Sequence, residues 1–395
     1  MMKANTGSSV KSEAKAAGYE AAEKASKGLK NPKVVFAYAA SGYYSDLPEV
    51  VNGIREALPG VPVIGSTTWG GVILPEGFVG GKHFVGLMVL SDPNLAVGIG
   101  TAENHGDEQT AREGGRKAAQ AAMKQAGRAE PPDYFYMSSM PGFEESYLKG
   151  ISEVIGRKPV FGGSAVDELV TGDWDVFTHD GRAGYGVAVA FFYTDKPMVN
   201  HFTSEPYFEL EEKLVIKKMD SPRRLVSIEG KPLVDRICER TGIDPGLLTA
   251  GDLQQGCIQD PIGIKDQFGE AAVLKLPMCL RPDGSMDMGA NLSEHSLLIH
   301  MRAEVTDMAK SSGKELEKLA KKMNGQAAAY HMFMGYGRGM VMRDDGKLDK
   351  AVKNIQKAAG DTPFIMAFTL AECGFAGDGM NTCGNLMISY TGFSK

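Results

Sequence analysis

Short apolar runs bounded by glycine, proline or aspartate alternate along the chain with longer stretches whose apolar residues recur at helical spacing. Val34-Val35-Phe36-Ala37-Tyr38 is bulky and unbroken, the pattern of a buried strand. Residues 46–58 predict a helix, with Asp46 as its cap and Pro48 in its first turn, and residues 61–65 predict the next strand. Such a β-α-β opening favours a parallel pair with a right-handed crossover. Residues 9–29, rich in Ala, Lys and Glu, predict an exposed helix ahead of it. Strands follow at 84–90, 95–100, 134–138 and 159–161, with helices at 107–125 and 144–155. Residues 174–179 and 185–194 predict a hairpin around Asp180-Gly181.

The alternation changes character between residues 203 and 212. Beyond it the pattern predicts strands at 225–228, 272–276, 296–301, 327–334, 363–369 and 386–390, and helices at 231–241, 307–323 and 348–357. The expected fold class is mixed α/β, with mixed sheets flanked by helices. Its expected parts are an N-terminal helix or tail at 1–30, one domain at 31–207 and a second at 208–395.

One phrase recurs three times: proline, two bulky apolar residues, a small or flexible pair, then a hydroxyl. The copies are Pro62-Val63-Ile64-Gly65-Ser66-Thr67, Pro159-Val160-Phe161-Gly162-Gly163-Ser164 and, more loosely, Pro363-Phe364-Ile365-Met366-Ala367-Phe368-Thr369. Each reads as a short buried strand opening into a turn of backbone N–H groups and hydroxyls. Three such ends predict a ligand cavity at the strand ends.

Chemistry near these ends supplies the candidate ligand contacts. Ser66, Thr67, Ser164 and Thr369 offer hydroxyls, although such groups also satisfy local turn backbone. Asp167 offers a carboxylate, or serves its own turn. Glu372, followed by Cys373, stands at a strand end where it can hold an ammonium group. Arg338, between glycines, has the bidentate fork suited to a carboxylate, so the pair can clamp both ends of an amino acid. His331 lies among apolar residues, where it serves either as a core histidine or as an axial haem ligand. Gly335-Tyr336-Gly337-Arg338-Gly339 fails the dinucleotide fingerprint at Met340, and no Gly-x-Ser-x-Gly elbow surrounds Ser66 or Ser164. With no base beside a nucleophile at a recognisable spacing, binding is expected ahead of catalysis, an enzyme using Glu372 with Cys373 or Cys383 being the remaining alternative.

Composition narrows the partners. With 43% apolar and 23% charged residues the 395-residue chain has the make-up of a soluble globular protein. A net charge of −6, with basic residues interleaved among acidic ones, argues against nucleic acid. No apolar run approaches the ~20 residues of a membrane helix. The five cysteines are scattered and form no CxxC, which predicts free thiols in a reducing, cytoplasmic setting and neither a disulfide framework nor a zinc ribbon.

Several of these segments resemble the FIST sensory domains, named for F-box and intracellular signal transduction proteins. Gly65-Ser66-Thr67-Thr68-Trp69-Gly70-Gly71-Val72 stands where that family carries Gly-Cys-Ser-Thr-Ala-Gly-Glu-Ile. Pro159-Val160-Phe161-Gly162-Gly163-Ser164-Ala165-Val166-Asp167 is similar to its Pro-Val-hydrophobic-Gly-Gly-x-Ala-x-Asp. Phe368-Thr369-Leu370-Ala371-Glu372-Cys373-Gly374 is similar to its Phe-Thr-x-Gly-Glu-Ile-Gly. Gly71 replaces an acid of the family, and no histidine occurs near Cys383-Gly384. The resemblance implies sensing of a small molecule, an amino acid or related metabolite, without a cofactor; haem-bound nitric-oxide sensing is the alternative it implies. A separate signalling partner is then expected to carry the output.

Overall fold

The computed structural model describes residues 1–242, 244, 256–265, 272–375 and 379–395. Among the described residues, three mixed sheets and one antiparallel sheet, flanked by helices, make the α/β architecture. Three of those sheets share one organising unit. In each, a strand, a crossover helix and a second, parallel strand follow one another. Pro32–Ala39 pairs in parallel with Val63–Thr67 across the helix Leu47–Ala57. Tyr134–Ser139 pairs likewise with Val160–Ser164 across Glu144–Ile155. Ala327–Gly335 pairs with Phe364–Thr369 across Leu348–Ala359.

The recurring phrase is therefore the second strand of each unit. Its proline has the same duty every time. Proline lacks an N–H, so it suits the first position of a strand, where only its carbonyl is needed. That carbonyl accepts from Val35 in the first unit, Phe135 in the second and Tyr330 in the third. Each unit also packs a preceding helix against its crossover helix: Ala14–Ser26, Glu108–Ala126 and Val305–Lys322 respectively. Glycines permit the close crossings, Gly18 and Gly53 in the first pair, Gly115 and Gly150 in the second.

The units are joined by strand exchange. Glu372–Phe375, from the third unit's turn, extends the second unit's sheet beside Val160–Ser164. Gly71–Leu74, from the first unit's turn, pairs with Phe364–Thr369 of the third. The fourth sheet gathers seven strands of residues 208–302, centred on the long strand Phe208–Ser221.

Some expectations need correction. The segment 9–29 is not all helix: Lys3–Ser9 is an edge strand on Val85–Ser91, and Glu13 caps the helix that follows. Asp46 makes no side-chain capping bond, because a 3-10 turn, Ser41–Asp46, leads straight into the helix. The hairpin of 174–179 with 185–194 does not form. Val176–Thr178 turns onto Gly181–Arg182 and lies beside Val63–Thr67. Gly186–Tyr193 instead runs between Tyr134–Ser139 and Ala96–Glu103. Its residues are all buried, so it belongs in a sheet interior.

Candidate functional site

The three strand ends meet, and each is capped by the turn of another unit. Thr67 donates its N–H to Asp175 O, takes the Asp175 N–H on Oγ1 and receives the Val166 N–H on its carbonyl. Ser164 repeats this pattern one unit on. It donates its N–H to Ala371 O, takes the Ala371 N–H on Oγ at 3.0 Å and receives the Leu370 N–H on its carbonyl. Thr68 closes the ring: its hydroxyl donates to Phe368 O at 2.7 Å and accepts from Phe368 N at 2.9 Å. Thr67, Ser164 and Thr68, at or next to the phrase's end, thus join unit to unit.

The predicted residues gather here, but as frame. Ser66, Thr67, Ser164 and Thr369 are all buried. The Asp167 carboxylate accepts the N–H groups of Leu169, Thr171, Gly172 and Asp173, which shapes its own loop. Arg338 does not sit in a glycine turn; it belongs to the helix Tyr336–Asp344. Its glycine neighbours allow close packing, Gly337 on Leu386 and Ile258, Gly339 on Phe368 and Trp69. The guanidinium is fully buried and donates to the carbonyls of Leu386 (2.5 Å), Glu205 (2.6 Å) and Ser204 (2.8 Å), over the Tyr207 ring. Glu372 accepts from Thr369 Oγ1 at 2.6 Å and from Met387 N at 2.7 Å. The expected clamp on an amino acid is replaced by bonds to the chain itself.

Two further expectations change. Cys373 is bonded to Cys383 in a disulfide across the hairpin Glu372–Phe375 and Asn381–Gly384, because the register sets the two directly opposite. Cys238, Cys257 and Cys279 are not part of a disulfide. His331 does not fit a haem. Its Nε2 is 2.6 Å from the Tyr38 hydroxyl, and the rings of Phe36, Phe333, Phe161 and Tyr136 stand 4.4–5.8 Å from the imidazole. Those rings occupy the space a porphyrin requires. Burial lowers the His331 pKa to about 3, so the imidazole is neutral.

Burial also raises the Glu372 pKa to about 8, against the opposing bonds from Thr369 and Met387 and the charge of Arg338. The carboxyl is held protonated at neutral pH. The folded pKa exceeds the ordinary 4.5, so the folded form binds the extra proton. This contribution to stability is complete below about 4.5 and is lost as pH rises through 8. Glu372→Gln mimics the protonated acid. Chemical denaturation at pH 7 and pH 9 is expected to show the parent losing about 1 kcal/mol more than the variant. Equal losses would rule out Glu372 as the titrating group.

An open cavity lies elsewhere. A groove of about 750 Å³ runs between the N-terminal turns of the second unit's helices and the loop at Asn291. Its charged lining is balanced: Arg112, Arg116 and Lys149 against Glu108, Glu113 and Glu145. Four of these are engaged. Arg112 and Arg116 both bind Glu153, Arg116 also binds Glu113, and Glu145 binds Arg223. Among the described residues Glu108 and Lys149, both exposed, have no ion-pair partner. Glu145 anchors the far wall by accepting the Asn291 N–H at 2.8 Å. Burial opposes its ionisation, but Arg223 and Lys275 outweigh that and hold its pKa below the usual range. Spacing had not pointed to these residues, because charged residues on an amphipathic helix ordinarily face solvent.

The corresponding place in the first unit is closed by Tyr43, whose hydroxyl donates to Lys11 O. A cavity of about 400 Å³ in the third carries Glu304, Asp344 and Asp345 and no basic residue. The second unit's groove thus combines both signs of charge.

The FIST N domain profile matches residues 33–231, and the FIST C domain profile matches residues 238–374. The chain belongs to the FIST family. FIST domains are sensor domains of signal transduction. No curated protein matches the chain. Among solved structures it is similar to a cyanuric acid hydrolase from A. caulinodans, at 13% identity over 62% of this chain and 87% of that one, with a TM-score of 0.31. It is also similar to T. maritima PurL complexed with AMPPCP, at 10% identity over 100% of this chain and 72% of that one, with a TM-score of 0.22. Likeness at that level carries no argument about activity. No helix among the described residues is long and apolar enough to cross a membrane.

Proposed function

We propose that this FIST protein senses an amino acid or a similar zwitterionic metabolite, taken into the groove of the second unit. One observation carries the reading: the groove offers an uncommitted cation, Lys149, and an uncommitted anion, Glu108, in an otherwise neutralised lining. A zwitterion satisfies both, whereas a polyanion or polycation leaves one charge opposed. The volume is within the range of small-molecule sites.

The groove also suggests how occupancy is read. One wall is the second unit's helix pair; the other is Asn291, which leads into the sheet of residues 208–302. A ligand touching both walls braces that sheet against the unit, through the same Glu145 that holds Asn291 and Arg223. The output then passes to a separate partner protein in the cytoplasm.

A thermal-shift series with the common amino acids tests this. A ligand at 100 times its Kd is expected to stabilise the protein by about 2.7 kcal/mol. Lys149→Ala with Glu108→Gln is expected to remove that shift while leaving the unliganded protein within about 0.5 kcal/mol of the parent. A shift that survives both substitutions would place the ligand outside the groove. No shift with any amino acid would reject the ligand class.

A further inference from the structure

The groove is not the only cavity on this helix. A second one, of about 440 Å³, opens on its other flank, lined by Leu148, Met380 and Thr382 among others. Glu145 and Lys149 line both. They are one helical turn apart, so they lie on one face, and the two cavities adjoin along that face. The characters differ. The first is bordered by charged and amide side chains. The second exposes more hydrocarbon: Leu148 and the exposed Met380 supply its apolar surface, while Ser152, Glu153, Arg157 and Asn381 also border it.

The Met380 side is held firmly. Asn381 accepts the Val160 N–H at 3.2 Å and donates to Lys158 O at 2.8 Å, which ties it to the second unit's sheet. The Cys373–Cys383 disulfide crosses the hairpin beside it. Thr382 and Cys383 continue the same strand.

We infer that the second cavity selects the ligand's side chain, and that the preferred ligands are amino acids with long apolar side chains. This rests on the reading of the groove given above. With its carboxylate on Lys149, an amino acid stands on the ridge between the cavities. Its side chain then reaches across the helix, over Leu148 and against Met380. Burying the apolar chain there removes hydrocarbon from water on both sides of the contact. A polar side chain of equal length loses its hydration beside groups already engaged, Glu153 with Arg112 and Arg116, and Asn381 with Val160 and Lys158.

Methionine and glutamine, nearly equal in length, make the comparison. Isothermal titration is expected to give methionine a Kd about tenfold below that of glutamine. Met380→Glu, at an exposed position, is expected to fold with an unchanged circular dichroism spectrum. It should raise the methionine Kd at least to the glutamine value and so abolish the preference. Equal affinities in the parent, or a methionine preference that survives Met380→Glu, would overturn the inference while leaving the groove as the site. Binding of neither amino acid, or binding of both that is unchanged in Lys149→Ala, would reject the groove and this inference together.

Discussion

Arg338→Ala is expected to destabilise the fold by about 3–5 kcal/mol, the range found when one partner of a buried charged network is removed. The loss is large because the guanidinium is fully buried and has three separate carbonyl partners. Two of them, Ser204 and Glu205, lie in the link between the strands Met198–Thr203 and Phe208–Ser221. The third, Leu386, precedes the strand Ile388–Ser394. Truncation leaves three carbonyls without a donor and a void beside Tyr207. Arg338→Lys keeps the charge but cannot present the planar fork, so a single ammonium cannot face all three acceptors as Arg338 does. Urea unfolding followed by circular dichroism measures both. A midpoint close to the parent's for Arg338→Ala would show that the carbonyls find other donors, and would return this arginine to the list of candidate ligand contacts.

Gly150→Val is expected to destabilise by about 3 kcal/mol, at the upper end of ordinary overpacking. A Cβ at this position falls far inside van der Waals contact with the Arg112 carbonyl oxygen, where the second unit's two helices cross. The sign is the informative part. On an exposed helix face, Gly→Ala stabilises by about 1 kcal/mol through helix propensity. Here even Gly150→Ala is expected to destabilise, because the obstruction is backbone and cannot turn aside. The same crossing positions Arg112, Glu145 and Lys149, so the valine variant should also weaken any ligand shift. A Gly150→Ala protein more stable than the parent would mean the helices separate without cost.

Much of this architecture was legible in the chain. The α/β class and the run of strands and helices follow from apolar periodicity, and the helix Glu144–Ile155 begins and ends where the pattern placed it. The thrice-repeated phrase marked real equivalent positions, for a reason periodicity does not carry: each proline carbonyl answers the same N–H in its unit. The pairing partners were harder. Val176–Thr178 and Gly186–Tyr193 are close in sequence and look like a hairpin, yet they enter different sheets, because strand choice is decided by which faces are buried. Strand exchange between units leaves no local mark. The hydroxyls of Thr67 and Ser164 lie at the joins between units, while Arg338 is held by distant carbonyls, Glu372 by Thr369 Oγ1 and Met387 N, and Asp167 by its own loop. Lys149 and Glu108 carry no local signal, since each is an ordinary surface charge until the opposite wall is present.

Exchange of strands between units has a consequence for how the chain comes into being. Thr68 hydrogen-bonds Phe368, 300 residues further along. At about 5–20 residues per second, a translating ribosome needs about 15–60 s to bring the second residue out after the first. Through that interval Gly71–Leu74, and for its later part Val160–Ser164, present unpaired edges whose partners do not yet exist, and such edges invite pairing with other chains. The nascent protein therefore depends on being shielded during synthesis to a degree that its finished, closed form does not reveal.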